Sequence, residues 1–209
     1  PVSTTGTLVA RDTGTGGFSA GDVVLTKLNV DNIQIDGNTI SATNTNGNII
    51  ITPNASGALQ ADAGGDTRGT NAVDWQMVRA TGTQVASGAC SVIAGGSDNT
   101  ASEGYSTVGG GFLNCASQWY STVGGGYGNI TSGASSIVGG GSHNCATNIY
   151  SSINGGEKNT ASGFGSFVGG GRCNTASACL STVSGGYANC ATGPRSTIAG
   201  GCNNKAHGS

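Results

Sequence analysis

Residues 101–115 read ASEGYSTVGGGFLNC, and residues 116–130 read ASQWYSTVGGGYGNI. They are two of eight consecutive fifteen-residue units that run from Ala86 to Lys205 without insertion or deletion. A ninth unit begins at Ala206 and is cut short at Ser209, which predicts further chain beyond it. Strict self-similarity at a short period is typical of a solenoid, in which each unit is one coil and is stable only against its neighbours. Positions in the unit are numbered 1 to 15, beginning at Ala86.

The middle of the unit predicts a short strand. Position 8 is Val or Ile and position 6 is Ser in all eight units. Alternate residues of a strand share a face, so we expect both columns to point into the coil. Position 7 then points outward, and it includes Val92, Ile137 and Phe167. This column is too apolar for a fully hydrated face and suits packing against another subunit.

Glycine and asparagine mark the rest of the coil. Positions 10 and 11 are Gly in every unit, which predicts a corner with positive φ or a close approach of another backbone. Position 14 is always Asn, which predicts a ladder of amides and tolerates a left-handed backbone. Position 1 is Ala except at Thr131. Such a narrow interior buries little apolar area, so we expect association with other chains to supply much of the stability.

The composition excludes several classes of protein. The chain has 209 residues, of which 40 are Gly and 3 are Pro, and only 9% are charged. Gly does not recur at every third residue, which excludes collagen, and the regular aliphatic column disfavours disorder. The net charge is −2 without a run of Lys or Arg, so neither nucleic acid nor an anionic membrane is an expected partner. No apolar stretch reaches the roughly 18 residues that a membrane-spanning helix needs.

The sequence divides into three parts. Residues 1–62 contain short apolar runs separated by turn signals, which predict a β-rich N-terminal shaft that intertwines with copies of itself. Residues 63–85 gather charges around Trp75 and Met77, and they predict a transition segment that caps the open end of the solenoid. We expect these two apolar side chains to be the plug, and a Trp-centred ligand pocket is the alternative. Residues 86–209 are the β-helix of fifteen-residue repeats.

The cysteines predict free thiols. The chain has 7 Cys, and Cys115, Cys145 and Cys190 share position 15. No two adjacent coils both carry Cys at that position, so neighbouring thiols in the column are too far apart to pair. We therefore expect mostly free thiols and assembly in a reducing compartment, with a disulfide ladder as the alternative.

Two resemblances carry expectations about architecture. The pattern S-T-V-G-G-G-x-x-N-x-A-S-G resembles the head repeats of trimeric autotransporter adhesins, whose YadA-like heads are left-handed parallel β-rolls. It departs from them in having fifteen residues and a Gly-rich corner where those repeats usually have fourteen and read S-V-A-I-G. The stretches TLVARD and NVDNIQIDGNTISATN resemble the shafts of bacteriophage tail fibres and large-virus surface fibres. The resemblance implies an all-β parallel β-helix or β-roll solenoid of eight coils, left-handed and homotrimeric.

Aromatic residues are the candidate binding residues. Tyr105, Tyr120 and Tyr150 share position 5, Trp119 precedes Tyr120, and Tyr127 occupies position 12 with Phe112 and Tyr187. One interpretation is that the rings stack on one another along the rod or fill a trimer interface. The other is that Tyr105, Trp119, Tyr120, Tyr127 and Tyr150 form an exposed platform for sugars of a host surface.

The sequence does not favour an enzyme. Asp98 and Glu103 could flank a glycosidic bond, but two carboxylates on a polar surface are weak evidence. His143 and His207 have no spacing typical of a metal site, although an ion on a trimer axis needs only one residue per chain. We therefore expect no catalytic residue, no metal and no cofactor.

The leading hypothesis is a structural trimeric fibre of a virion, of a phage tail or a large DNA virus. It would act as a spacer and in attachment to the host cell, with two further copies of itself and a host-surface glycan as partners. The alternative is the head of a trimeric adhesin on a bacterial cell surface. An ice-binding solenoid is a third class, but it needs a regular Thr column, and position 7 is interrupted by Val92, Ile137, Ser152 and Phe167.

Overall fold

The computed structural model describes residues 59–60 and 64–208, and these residues form a parallel β-solenoid of about nine turns. The shaft expected in residues 1–62 lies almost entirely outside the described residues. Each strand has two residues: β1 Leu59–Gln60, β2 Val73–Asp74, β3 Val92–Ile93, β4 Thr100–Ala101, β5 Thr107–Val108, β6 Cys115–Ala116, β7 Thr122–Val123, β8 Ile130–Thr131, β9 Ile137–Val138, β10 Cys145–Ala146, β11 Ser152–Ile153, β12 Thr160–Ala161, β13 Phe167–Val168, β14 Thr175–Ala176, β15 Thr182–Val183, β16 Cys190–Ala191, β17 Thr197–Ile198 and β18 Lys205–Ala206.

Two parallel sheets run along the solenoid. The first contains β1, β2 and the odd-numbered strands from β3 to β17, which come from positions 7 and 8. The second contains the even-numbered strands from β4 to β18, which come from positions 15 and 1. Thr107 pairs with Thr122 and Cys115 with Ile130, so each coil stacks on the next in the fifteen-residue register. A third line of single bridges joins position 12 of successive coils, as in Phe112 to Tyr127.

The expected interior columns are confirmed. Position 8 is buried in all eight coils and packs with the small residues of position 1. Ser at position 6 also points inward, and Ser121 Oγ donates to the carbonyl of Gln118 at 2.7 Å in the turn of its own coil. The Ser91, Ser166 and Ser196 hydroxyls lack a partner, and the structure offers no physical explanation for that difference.

The Gly and Asn columns lock adjacent coils together. Gly141 at position 11 has a φ of 88°, and a Cβ there would overlap the carbonyl oxygen of Gly156 in the next coil. The Asn144 side chain donates to the carbonyls of Gly140 and Gly156 at 2.9 and 2.8 Å. Its Oδ1 accepts the backbone N–H of Asn159 at 3.0 Å. The Asn ladder therefore exists, but most of its bonds join side chain to backbone.

The left-handed backbone lies at other positions than expected. None of the eight Asn residues at position 14 has a positive φ. Apart from the Gly residues of positions 10 and 11, the positive φ values of the eight coils are at positions 5 and 13, between 52° and 62° in every coil. Both positions are at turns where the chain reverses direction outside the strands. The side chain of Asn is needed inside the coil, so its backbone cannot also supply the turn.

The first coil begins earlier than the regular repeat. Val73 pairs with Val92 and Asp74 with Ile93, which places residues 67–85 in a longer leading coil of nineteen residues. Trp75 and Met77, expected to plug the solenoid, are 47% and 71% exposed, so that expectation is wrong. The alternation of the strand points Asp74 and Gln76 inward, and both are fully buried.

Polar groups close the leading coil. Asp74 Oδ2 lies 3.0 Å from Arg68 Nε and 3.3 Å from Arg79 Nη2, and both guanidinium groups are largely buried. Gln76 Oε1 accepts the backbone N–H of Asn99 at 2.9 Å, as the Asn side chains do in later coils. A buried ion-pair cluster therefore fills the leading coil, and the Gln76 amide begins the Asn ladder.

Candidate interaction surfaces

A turn at positions 3 to 6 creates the first candidate surface. The position 6 amide donates to the position 3 carbonyl, as in Ser121 to Gln118 at 3.1 Å. Position 5 is left-handed in every coil, although it carries Tyr at Tyr105, Tyr120 and Tyr150. A residue with a Cβ is disfavoured there by roughly 1–2 kcal/mol. Aromatic side chains thus occupy a position where Gly or Asn would strain the backbone less.

This turn projects an apolar ridge along the rod. The ridge, called the 4–5 edge, consists of exposed side chains from positions 4 and 5: Tyr105, Trp119, Tyr120, Ile149, Tyr150, Phe164 and Leu180. Sequence reasoning identified four of these residues and missed Ile149, Phe164 and Leu180. Aligning position 4 as well as position 5 would have found them. The ridge spans coils two to seven and is interrupted in coil four, where Ala134 and Ser135 occupy these positions.

The rings on the 4–5 edge pack mainly against one another. Tyr105 and Tyr120 stack with centroids 5.2 Å apart and an angle of 7° between the rings. Trp119 is tilted against both, at 6.3 and 6.1 Å, and its indole lies against the backbone of Gly104. The stacked pair covers one face of each ring, and Tyr120 is still 58% exposed. Tyr150 is 60% exposed and meets Phe164, which is 45% exposed, edge to face at 5.7 Å.

A second edge follows position 12. Phe112 and Tyr127 stack at 5.6 Å, and Tyr127 meets His143 edge to face at 4.6 Å. Further along, Glu157 pairs with Arg172 at 3.2 Å. Tyr127 is therefore separated from the other four candidate residues by the width of the first sheet. The expected platform of Tyr105, Trp119, Tyr120, Tyr127 and Tyr150 is divided between two edges.

A flat face lies between the two edges. It is the outer side of the first sheet, formed by positions 7 and 9, and it is called the first outer face. Its residues are Val92, Ala94, Thr107, Gly109, Thr122, Gly124, Ile137, Gly139, Ser152, Asn154, Phe167, Gly169, Thr182, Ser184, Thr197 and Ala199. Position 7 points outward as expected, and Ile137 is 47% exposed. No residue of this face is charged.

The second outer face lies on the other sheet and is more polar. It is formed by positions 15 and 2. Position 2 is Ser or Thr in all eight coils, and most of these hydroxyls are at least partly exposed. Position 15 includes Cys115, Cys145 and Cys190, which are half-buried. The structure therefore has one face of Thr, Gly and apolar residues and another lined by hydroxyls and thiols.

The titratable residues are dispersed. Asp98 accepts hydrogen bonds from the Ala80 amide and the Ser97 hydroxyl, which ties it to the leading coil. Glu103 belongs to position 3, at a different turn, so the two carboxylates of the proposed pair occupy separate corners. His143 Nδ1 is 2.8 Å from the Ser142 hydroxyl. Within residues 59–60 and 64–208, no three His, Cys, Asp or Glu side chains come together as a metal site.

The thiols are free, as expected from their spacing. All seven Cys residues are unpaired in the structure. Burial raises the pKa of the Cys115 thiol, and a hydrogen bond with Ser117 opposes this increase. Burial also raises the pKa of Cys145. Both thiols are consequently poorer nucleophiles than an exposed cysteine near neutral pH.

No protein-family model matches the chain, and no curated protein matches it either. In the part of the chain that the structure describes, no helix is long and apolar enough to cross a bilayer. The function of this chain is therefore inferred from the geometry of the solenoid and its exposed surfaces.

Proposed function

We propose that this chain forms a structural trimeric fibre of a virion, as a spacer and as an element of host attachment. The observation that carries the proposal is a regular solenoid that presents exposed rings and other apolar side chains along two of its edges. Lines of exposed rings on a small, Gly-rich rod favour association with other chains. The backbone ladders and the buried Asn column supply the stiffness that a spacer needs.

The oligomeric state is the first test. Light scattering on the full chain is expected to give about three times the mass of one 20.2 kDa chain. A stable monomer at micromolar concentration would contradict the trimeric fibre. The same preparation examined by electron microscopy should show straight rods and no globular particles.

Location separates the fibre from the alternative, the head of a bacterial surface adhesin. Antibodies against the purified chain can be applied, with gold labels, to virus particles and to intact cells from the natural source. Labelling of virions supports the fibre, and labelling of the bacterial surface supports the adhesin. Labelling confined to the cell interior contradicts both.

Host attachment through glycans rests on the 4–5 edge. Tyr150 is the most exposed ring of this edge, at 60%, and it meets Phe164 edge to face, so it is the sugar-contacting residue to test first. A glycan array probed with the wild-type chain and with Tyr150→Ala tests this part. The variant is expected to lose at least tenfold in apparent affinity, whereas Tyr187→Ala on the other edge should not change it. Equal binding by both variants would remove Tyr150 from the attachment site.

A further inference from the structure

We infer that the first outer face is where a second copy of this chain packs, parallel and in register. This inference rests on the proposed trimeric fibre and assigns its contact surface. Val73 and Trp75 of the leading coil extend the face beyond the regular repeats, since they lie in the same sheet. Trp75, exposed at the end of this face, would then be covered by the neighbouring chain.

The distribution of charge favours this face. The charged residues of the eight coils lie at positions 3, 5, 12, 13 and 15: Asp98, Glu103, Glu157, Lys158, Arg172, Arg195 and Lys205. None is at position 7 or 9. Burying an unpaired charge in an interface is expensive, whereas Thr, Gly, Val, Ile and Phe can be covered without it. The first outer face can therefore lose its water over all eight coils.

The second outer face is the competing candidate and is less suitable. It also lacks charge up to Lys205, but its positions 2 and 15 carry eleven hydroxyls over the eight coils, whereas positions 7 and 9 carry six hydroxyls and one amide. Each covered hydroxyl needs a new hydrogen-bond partner, so the first outer face needs fewer of them. Position 9 of the first outer face is instead Gly in Gly109, Gly124, Gly139 and Gly169. A Cβ there would overlap a carbonyl oxygen of the next coil, so the coil itself requires these glycines, and they leave half of the coils without a side chain beside position 7.

The regular spacing points to another copy as the partner. Successive coils are separated by about 4.8 Å, the distance between neighbouring strands. A partner can pack against positions 7 and 9 of all eight coils only if its own side chains repeat at the same spacing. A parallel copy of this chain meets that condition coil by coil, whereas a globular partner would contact a few coils only.

The strip of positions 7 to 9 is small by itself, so the contact has to include the two edges beside it. Eight coils span about 38 Å, and these three positions cover about 10 Å across the face at about 3.3 Å per residue. The strip would bury about 380 Å² on each chain, or about 760 Å² in total, whereas specific and stable interfaces begin at about 1,200 Å². The two flanking aromatic edges would supply the remaining area.

Charge substitutions test the inference with matched controls. The double variant Thr122→Lys and Ile137→Lys places two charges on the first outer face in coils three and four. The control, Ser117→Lys and Ser132→Lys, places the same charges on the second outer face of the same coils. By light scattering, the first variant is expected to weaken association at least 100-fold and the control to keep the wild-type mass. Dissociation by the control alone, or by neither variant, would overturn the assignment.

Thiol labelling is a second test, and it is carried out on the assembled protein. Cys115 and Cys145 already report on the second outer face, and Thr122→Cys adds a reporter on the first. In the assembled protein, maleimide should modify the introduced thiol at least tenfold more slowly than Cys145, as read by peptide mass spectrometry. An introduced thiol that reacts as fast as the exposed Cys179 contradicts the inference. A monomeric wild type would instead contradict the trimeric fibre itself, so the two failures are distinguishable.

Discussion

Gly140 and Gly141 are neighbours in the chain and have different roles in the coil. A Cβ on Gly140 would have the carbonyl oxygen of Gly125, at 3.9 Å, as its nearest contact. A Cβ on Gly141 would overlap the backbone of the next coil, and its φ of 88° disfavours any other residue. We expect Gly141→Ala to lower the free energy of unfolding by about 3 kcal/mol or more, and Gly140→Ala by less than about 0.5 kcal/mol. Urea unfolding followed by circular dichroism measures both, and equal effects would show that the coil spacing is not set at position 11.

The Asn column provides a second test on single residues. Asn144→Ala removes two donors and one acceptor, which leaves the Gly140 and Gly156 carbonyls and the Asn159 amide without these partners. Each buried unpaired group costs about 1–3 kcal/mol, so a loss of about 3 kcal/mol in unfolding free energy is expected. Thr147→Ala, at an exposed site in the adjoining coil, is the control and should change stability by less than about 0.5 kcal/mol. If Asn144→Ala unfolds at the same denaturant concentration as the control, the ladder is dispensable.

The leading coil differs from the other coils because polar side chains replace the aliphatic residue of its interior. Asp74 occupies the inward position of β2, which in later coils is always Val or Ile, and it lies against Arg68 and Arg79. Asp74→Ala would leave buried guanidinium groups without this partner, and we expect a loss of about 3–5 kcal/mol. Asp66→Ala, at an exposed carboxylate of the same segment, is the matched control.

Hydrogen exchange locates the effect of Asp74→Ala. Amides of residues 67–100 should lose protection before those of the later coils, because each coil is stabilised mainly by its neighbours. A uniform loss of protection along the whole solenoid would contradict an effect of Asp74 that is confined to the leading coil and its neighbour. No change in the first two coils would show that the ion pairs contribute little.

The solenoid as a whole should tolerate the loss of a complete coil better than a change in the length of one coil. Ile130 and Cys145 occupy the same position, so deletion of residues 131–145 joins equivalent ends and keeps both sheets in register. We expect this variant to remain folded, shorter by about 4.8 Å, with a melting temperature close to that of the wild type. Deletion of residues 131–144, one residue fewer, leaves an extra residue between Ile130 and Ala146, which must bulge out of the second sheet if the later coils are to keep their register. That variant should melt at a lower temperature than the fifteen-residue deletion, and equal melting temperatures of the two deletions would contradict the solenoid register.

The repeat by itself determined much of this architecture. A unit of fixed length with Val or Ile at position 8, Ser at position 6, Gly at position 11 and Asn at position 14 specifies a narrow parallel coil, because these residue types fit only an alternating strand, a cramped corner and a buried amide ladder. The free thiols also followed from spacing, since stacked coils separate the cysteines of one column. These features are local and periodic, so they can be derived from single columns of the sequence.

Only the tertiary structure decided which side chains of the irregular leading coil point inward and where the turns of each coil lie. It placed Trp75 and Met77 outside and Asp74 and Gln76 inside, because strand alternation overrides hydrophobicity once paired charges satisfy the buried polar groups. It moved the left-handed residues to positions 5 and 13, where the turns lie. It also divided the aromatic residues between the two edges of the first outer face, because positions 5 and 12 lie on opposite sides of the first sheet in each coil. Sequence reveals the columns, and folding of the coil determines which columns become neighbours.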